Sequence, residues 1–516
     1  MAVIHEEFIK SYFEKNPNAV LIASDIYDIL KNNFSITDEN CRKVLSNCAL
    51  RGYIRNSKPI YFGNKQYAYF SPNQKKEYKV LKECISVHKK YLHRVIFALE
   101  RNGGILSLLE AIKISGATLN KNSHSINIDT ILNELDALGI AEVMEYQGTQ
   151  YICMMKNGSP IPLDEQSLNN LKVKNILLVL VLDWLKRCNL IDGAKLCFMG
   201  PGNYYNGIVR NTENWDAFGF SNAIGIGNIK KDYQTIVLLD FNYQYQYEEY
   251  DFIGFQERVN RTVFSVKNEN RKVLPIVVVN DISSSALALI KNNQYLVFKL
   301  GDILGASSVN VANSFIKNID FLNKKITEKS EDFASNICET LEEIKKSGNE
   351  DNYGNMKGTL FEYLMYPVIN RIYSSSALIN HSYDKNYENQ HFECDYVIET
   401  ADENIIIELK GYKKGNIIRL GNFDAKTNLP ERDTVKWFLQ RTFELCRKSI
   451  GGNKEFKFCY ITTADFEETA KTTMLERKKN KPKGIECFYN GTSLIELLQQ
   501  YSMENEIKVI NQYYMG

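Results

Sequence analysis

Residues 394–415 read CDYVIETADENIIIELKGYKKG, two apolar runs on either side of a short polar stretch, and the rest of the chain is organised around them. The runs read as the paired strands of a hairpin. With residues 401–404 as the turn, Asp395 is expected opposite Lys410 and Val397 opposite Glu408. Residues two apart on a strand share a face, as do directly opposed residues of paired strands. Asp395, Glu408 and Lys410 therefore meet on one surface, while Ile405, Ile407 and Leu409 turn the other way into a core. An Asp and a Glu a few ångströms apart are hard oxygen ligands suited to Mg²⁺, which keeps several waters and bridges to phosphate; Mn²⁺ is expected to substitute. A metal held there lowers the pKa of a bound water and stabilises charge on phosphate. Lys410 adds a cation beside the attacking water, and the set fits phosphodiester hydrolysis.

The flanking segments extend the pattern. A helix GTLFEYLMYPVINRIY carrying Glu362 precedes the hairpin; helix DTVKWFLQRTFELCRKSI, strand FKFCYITTADF, a further helix, strand IECFY and helix GTSLIELLQQY follow it. Over about residues 354–500 this order resembles the PD-(D/E)XK nuclease superfamily, the restriction-endonuclease-like fold. The resemblance implies that Asp395 and Glu408 ligate the metal, that Lys410 positions or activates water, and that Glu362 is the accessory acid of the first core helix. It also implies an active-site or DNA-contacting role for Lys436 and Gln440, on the helix after the hairpin. Cys394 stands where the motif name has Pro, a position the family varies freely. The basic residues Lys413, Lys414 and Arg419 sit where backbone phosphates are expected.

An earlier stretch repeats the order: helix NILLVLVLDWLKRC, strand WDAFGFS, strand TIVLLDFNY, helix YDFIGFQERVNRTVFSVK, strand VLPIVVVND, helix SSSALALIKN, strand QYLVFKL and a weaker GDILGAS. Asp216 and Asp240 take the two acid positions, and Asn242 stands where the lysine belongs. Asn supplies no positive charge, so residues 165–325 are expected to be a degenerate copy that scaffolds, dimerises or binds DNA. A charged helical bridge, 326–353, separates it from the nuclease-like domain, 354–516.

Before residue 165 the expected fold is two winged helices in tandem, 1–72 and 76–155, each with helices followed by a hairpin, and residues 157–163, with Gly158, Pro160 and Pro162, as a linker. In the first, Arg42, Lys43, Arg51 and Arg55 are candidate phosphate contacts. In the second, Glu134 and Asp136 weaken that reading.

A length of 516 residues leaves room for about three or four domains. Sixty-three Lys and Arg against 62 Asp and Glu give a net charge of +1, so nucleic acid must be bound by local patches and not by bulk charge. The eleven cysteines form no CxxC pair, which argues against a zinc site or disulfide framework. The longest apolar run, residues 176–182, falls far short of the roughly 18 residues of a membrane span, and MAVIHEEFIKSYFEK lacks the features of a signal peptide. The expected setting is cytoplasmic.

GFSNAIGIGNIK, with Gly219, Gly225 and Gly227, lacks the GxxxxGK[ST] of a phosphate loop. The tyrosines of YQYQYEEY, from Tyr243 to Tyr250, could stack bases, but Glu248, Glu249 and Asp251 beside them would repel phosphate.

The combined expectation is a multidomain α/β plus α+β chain that hydrolyses DNA as a homodimer, with restriction or antiphage defence as the role the family suggests. No ATPase or helicase motif is present, so any such step would fall to a partner protein. Two alternatives stay open: a transposon or recombination nuclease cutting at a recognised end, and a non-enzymatic DNA-binding regulator.

Overall fold

In the computed structural model the described residues are all but 1, 119–125, 147, 193–196, 199–207, 211–212, 222–233, 268–270, 324–329, 374–376 and 426. Gly225 and Gly227 of the glycine-rich stretch lie outside them. The chain is mixed α/β and divides into two compact units, Met1–Ile303 and Leu304–Gly516. Residues 304–323, expected to lie in the first α/β domain, belong to the second unit. There the helix Ser308–Asn323 pairs with Ser330–Lys346, the expected bridge. Asn318 Nδ2 fastens the pair by donating to Thr340 Oγ1 at 2.9 Å.

The sheet of the second unit holds five strands in the spatial order Leu378–Tyr387, Gln390–Glu399, Glu403–Lys410, Glu455–Thr462 and Phe488–Tyr489. The first three run antiparallel and the last two join in parallel. Strand Glu403–Lys410 is central, and its Ile405, Ile406, Ile407 and Leu409 are almost fully buried, as a strand covered on both faces requires.

The sheet of the first unit holds Cys197–Phe198, Ala217–Ser221, Thr235–Tyr247, Val273–Ile282 and Leu296–Lys299 in that spatial order. Its pairings are antiparallel, antiparallel, parallel and parallel, the same sequence as in the second unit. The helices match as well. Glu165–Arg187 precedes this sheet as Gly354–Tyr373 precedes the other, and Glu249–Val266 and Ser284–Asn292 fill the two crossovers. The internal repeat read from sequence is thus a repeat of topology.

Two further modules precede the first sheet. One runs Ala2–Lys15, Val20–Ile22, Ala23–Asn33, Asp38–Leu50, Arg55–Asn56 and Ala68–Phe70; the other Lys90–Arg101, Ile105–Ser107, Leu108–Ser115, Ile128–Ala137, Ala141–Tyr146 and Thr149–Lys156. Each places a helix, a short strand, two helices and a hairpin in that order; the first closes a three-stranded antiparallel layer, and the second a layer that Ser159–Pro160 extends to four strands. The expected linker is not one: Ser159–Pro160 pairs antiparallel with Thr149–Lys156, and helix Glu165–Arg187 follows at once, capped by Asp164 Oδ1 accepting from Ser167 N at 2.9 Å. No helix among the described residues is long and apolar enough to cross a membrane.

Candidate active site

The hairpin carrying the predicted acids turns more tightly than the sequence suggested. Thr400 and Glu403 close it: Thr400 N donates to Glu403 O, and Glu403 N donates back to Thr400 Oγ1, each at 3.0 Å. Only Ala401 and Asp402 remain in the loop. The strands therefore pair Tyr396 with Ile407 and Val397 with Ile406, two residues away from the expected register. Asp395 comes level with Glu408, not Lys410, and Val397 does not face Glu408. Because the slip is an even number, every side chain stays on its expected face.

Asp395 is 9% exposed. Its Oδ2 accepts from the Leu409 N–H at 2.6 Å, which fixes the carboxyl beside the neighbouring strand. Glu408 Oε1 meets Lys410 Nζ at 2.8 Å. Glu362 is half-buried on the helix Gly354–Tyr373, whose carbonyl at Glu362 accepts from Tyr396 Oη at 2.9 Å. That helix approaches the strand end closely: a Cβ at Gly411 would stand 2.5 Å from Phe361 Cβ, so glycine is required there. Thr462 Oγ1 donates to the Lys410 carbonyl and Thr463 Oγ1 to the Tyr412 carbonyl, both at 2.7 Å, and hold the strand end in place.

Fully ionised, this cluster would carry more negative charge than positive. Burial, then the negative charge of Glu408 and Glu362, push the Asp395 carboxyl well above its usual range. Burial, with Glu393 and Glu408 adding repulsion and Lys410 opposing them, pushes Glu362 up to about 7. Lys410 is disfavoured by burial but held cationic by Glu408 and Asp395, which raise it overall. Three carboxylates thus face one lysine, in a setting with little water to screen them.

Such a donor set fits a divalent cation. No group of three or more His, Cys, Asp or Glu side chains converges on one point among the described residues. Two carboxylates are nonetheless what Mg²⁺ commonly takes from protein, with water and phosphate filling the rest. Asp395 and Glu408 would hold the ion, and the mutual repulsion of the ionised acids is what such an ion would relieve.

Gln440 sits exposed in a π-helical turn, Phe438–Thr442. Lys436 lies over the Phe423 ring, Lys413 pairs with Asp351 at 3.0 Å, Arg419 with Glu431 at 3.7 Å, and Lys414 is exposed. In the first module Lys43 pairs with Glu39 at 2.8 Å and Arg51 with Glu6 at 3.0 Å, while Arg42 and Arg55 are exposed. In the second, Glu134 is no surface acid: it pairs with the buried Lys89. The tyrosines are committed internally too, with the hydroxyls of Tyr243, Tyr245 and Tyr247 donating to Asn170 O, Glu110 Oε2 and Asp240 Oδ2.

In the first unit the equivalent acids are closed off. Asp216 Oδ2 accepts from Phe241 N at 2.8 Å, the counterpart of the bond from Leu409 to Asp395. Here, however, Lys113 Nζ lies 2.7 Å from Asp216 and 3.3 Å from Asp240, Lys174 Nζ lies 2.8 Å from Asp216, and Arg258 lies 3.2 Å from Asp240. Burial alone would push Asp216 up, but Lys113 and Lys174 outweigh it and hold the carboxyl well below its usual range. Asn242, in the lysine's place, accepts from Gln244 N and donates to the Tyr245 carbonyl, closing a bulge in its own strand.

Sequence reading missed Lys113, Lys174, Arg258 and Glu110. A lysine and a glutamate inside the apolar helix LLEAIKIS were the available sign.

No protein-family model and no curated protein matches the chain. Among solved structures, it is similar to EndoMS in an EndoMS–dsDNA2 complex, at 10% identity and a TM-score of 0.17, over 29% of this chain and 51% of that one. The chain thus spans about half the length of that protein. It is also similar to Can2 from Sulfobacillus thermosulfidooxidans in complex with cyclic tetra-adenylate, at 10% identity and a TM-score of 0.21, over 52% of this chain and 92% of that one. Likenesses at this level carry no functional weight.

Proposed function

We propose that the second unit hydrolyses DNA phosphodiester bonds with Mg²⁺ held by Asp395 and Glu408. The observation that carries this reading is the geometry of the strand end, where Asp395, fixed by the Leu409 N–H at 2.6 Å and level with Glu408, shares a face with a Glu408–Lys410 pair at 2.8 Å and repels the half-buried Glu362 when both are ionised. A bound divalent ion would supply Lewis acidity and an activated water. The chain's own groups do the rest. Asp395 is fixed by the Leu409 N–H, and Glu408 is oriented by Lys410. Lys410 remains an ammonium, so it acts by charge, steadying the phosphate or its attacking water, and not by taking a proton.

DNA is the proposed substrate because the two N-terminal modules have the order of elements of winged helices and the first presents Arg42 and Arg55 to solvent. Duplex cleavage by one such centre per chain needs two chains, and two-fold pairing matches antiparallel strands. A defence role, suggested by the family resemblance, is part of the proposal. Supercoiled plasmid incubated with Mg²⁺, with chelator, and with Asp395→Ala tests the reading. Cleavage only by the unaltered chain with metal supports it, and plasmid left intact in all three arms, or cut equally well by Asp395→Ala, overturns it.

A further inference from the structure

The first unit contains a second centre with its own distinct occupant. The helix Leu108–Ser115 starts where Ser107 Oγ accepts from Glu110 N and ends at Gly116, whose φ of +68° only glycine takes readily. It lies directly against Glu249–Val266: a Cβ on Gly254 would stand 2.4 Å from the Lys113 carbonyl oxygen. Bidentate bonds from Arg94 to Glu257 and from Arg101 to Asp251 lock the second module in that place.

So held, the helix drives Lys113 between the two acids. Its Nζ is surrounded by Asp216 Oδ2 at 2.7 Å, the Phe241 carbonyl oxygen at 3.0 Å and Asp240 Oδ1 at 3.3 Å. These are three hard oxygens, two from strand Thr235–Tyr247 and one from the bend just before Ala217–Ser221, the places that correspond to those of Glu408 and Asp395 in the other unit. We infer that this is a divalent-cation site whose ion has been replaced by the Lys113 ammonium, and that removing the lysine reopens it to Mn²⁺ or Mg²⁺.

Counting charges shows what the replacement achieves. Asp216, Asp240 and Glu110 face Lys113, Lys174 and Arg258, three against three. The centre is neutral as it stands. Removal of Lys113 leaves one excess negative charge, and removal of Lys174 as well leaves two, the complement of a divalent ion. All donors are oxygen, which favours Mg²⁺ and Mn²⁺ over softer metals.

The test uses the full chain with Asp395→Ala and Glu408→Ala, so that the proposed catalytic site contributes no metal and failure of that reading does not affect the result. Mn²⁺ uptake is followed by the electron paramagnetic resonance of the free ion, with thermal melting of the same samples. Lys113→Ala in this background is expected to take up one Mn²⁺ per chain at least about tenfold more tightly than the parent, and Lys113→Ala with Lys174→Met more tightly still. Adding Asp216→Asn is expected to abolish the uptake. If Lys113→Ala does not fold without metal, recovery of its melting transition on adding Mn²⁺ supports the inference. A folded Lys113→Ala chain that binds no better than its parent, an unfolded one that Mn²⁺ does not restore, or a parent that already binds Mn²⁺ through Asp216 overturns it.

Discussion

The two α/β regions share a strand order, a set of crossovers and even one side-chain bond, from the amide after the second acid to the first acid. Their charges differ. Around Asp395 and Glu408 three carboxylates meet one lysine; around Asp216 and Asp240 three carboxylates meet two lysines and an arginine. The helix before the sheet shows the change most directly, carrying Glu362 in one region and Lys174 in the other. One backbone thus supports a centre short of positive charge and a centre that is satisfied. On the proposed function the first takes up a divalent ion, whereas the second is already satisfied by the chain's own Lys113, Lys174 and Arg258.

If that distinction is correct, catalysis belongs to one region. Asp395→Asn, Glu408→Gln and Lys410→Ala are each expected to lower plasmid cleavage by roughly a thousandfold, the scale on which losing a charged group at a reaction centre acts. Asp240→Asn should leave the rate per folded molecule unchanged, although it removes a partner of Lys113, Arg258 and Tyr247 and so lowers the yield of folded chain. A large loss of rate in folded Asp240→Asn protein would assign chemistry to the first region after all.

Stability should respond with opposite signs. Asp216→Asn strips Lys113 and Lys174 of a buried partner, and breaking a buried pair from one side costs about 3–5 kcal/mol. At alkaline pH, where Asp395 ionises, Asp395→Asn instead removes an unfavourable buried charge while leaving an oxygen for the Leu409 amide, so the melting temperature of the second unit is expected to rise there. Scanning calorimetry of the two variants measures both. Destabilisation of the second unit by Asp395→Asn would mean that its carboxylate is already compensated.

Metal and proton should substitute for each other in the second unit alone. Asp395 is raised in the folded state, so its favourable contribution is complete below the ordinary carboxylate value and is lost as pH climbs through the raised one. Asp216 and Glu110 are lowered, so theirs is complete above the ordinary value and is lost only as pH falls through the lowered one. Burial lowers His381 in the second unit and His93 in the first, which costs stability over the same range, so the effect is read as a difference. Going from about pH 8 to about pH 5 should stabilise the unaltered second unit relative to Asp395→Asn, with no such difference between the unaltered first unit and Asp216→Asn. Mg²⁺ at about 100 times its Kd should stabilise the second unit by about 2.7 kcal/mol. That gain should be larger at the higher pH and absent from Asp395→Ala.

The face carrying Asp395, Glu408 and Lys410 was legible because strand side chains alternate with a period of two, and that parity survived a register displaced by two residues. The displacement came from Thr400, whose hydroxyl and backbone close a tighter loop than the polar run suggested. The repeat was legible from the order of its elements. The neutralisation of Asp216 and Asp240 was not, since Lys113 reaches across more than 100 residues of chain to the carbonyl of Phe241 and no local pattern specifies such a contact. For the same reason residues 157–163 read as a linker, when Arg94, Arg101 and Lys113 tie the second module to the first α/β sheet and its helix Glu249–Val266.

The smallest expected effect concerns the first module, where binding and catalysis can be separated. Arg42 and Arg55 are exposed, whereas Lys43 and Arg51 are engaged with Glu39 and Glu6. If the module grips duplex, each side chain that contacts phosphate releases counterions, and its loss flattens the slope of log K against log salt by roughly 0.9. Arg42→Ala and Arg55→Ala should each show that change in full. Lys43→Ala should show less, because its ammonium must leave Glu39 to reach phosphate. Cleavage at low salt and saturating DNA should be unchanged in all three, since none touches the cluster around Asp395. Fluorescence anisotropy of a labelled duplex across a salt series gives the slopes. Four parallel lines, wild type included, would make the first module a protein contact, as Arg94 and Arg101 make the second.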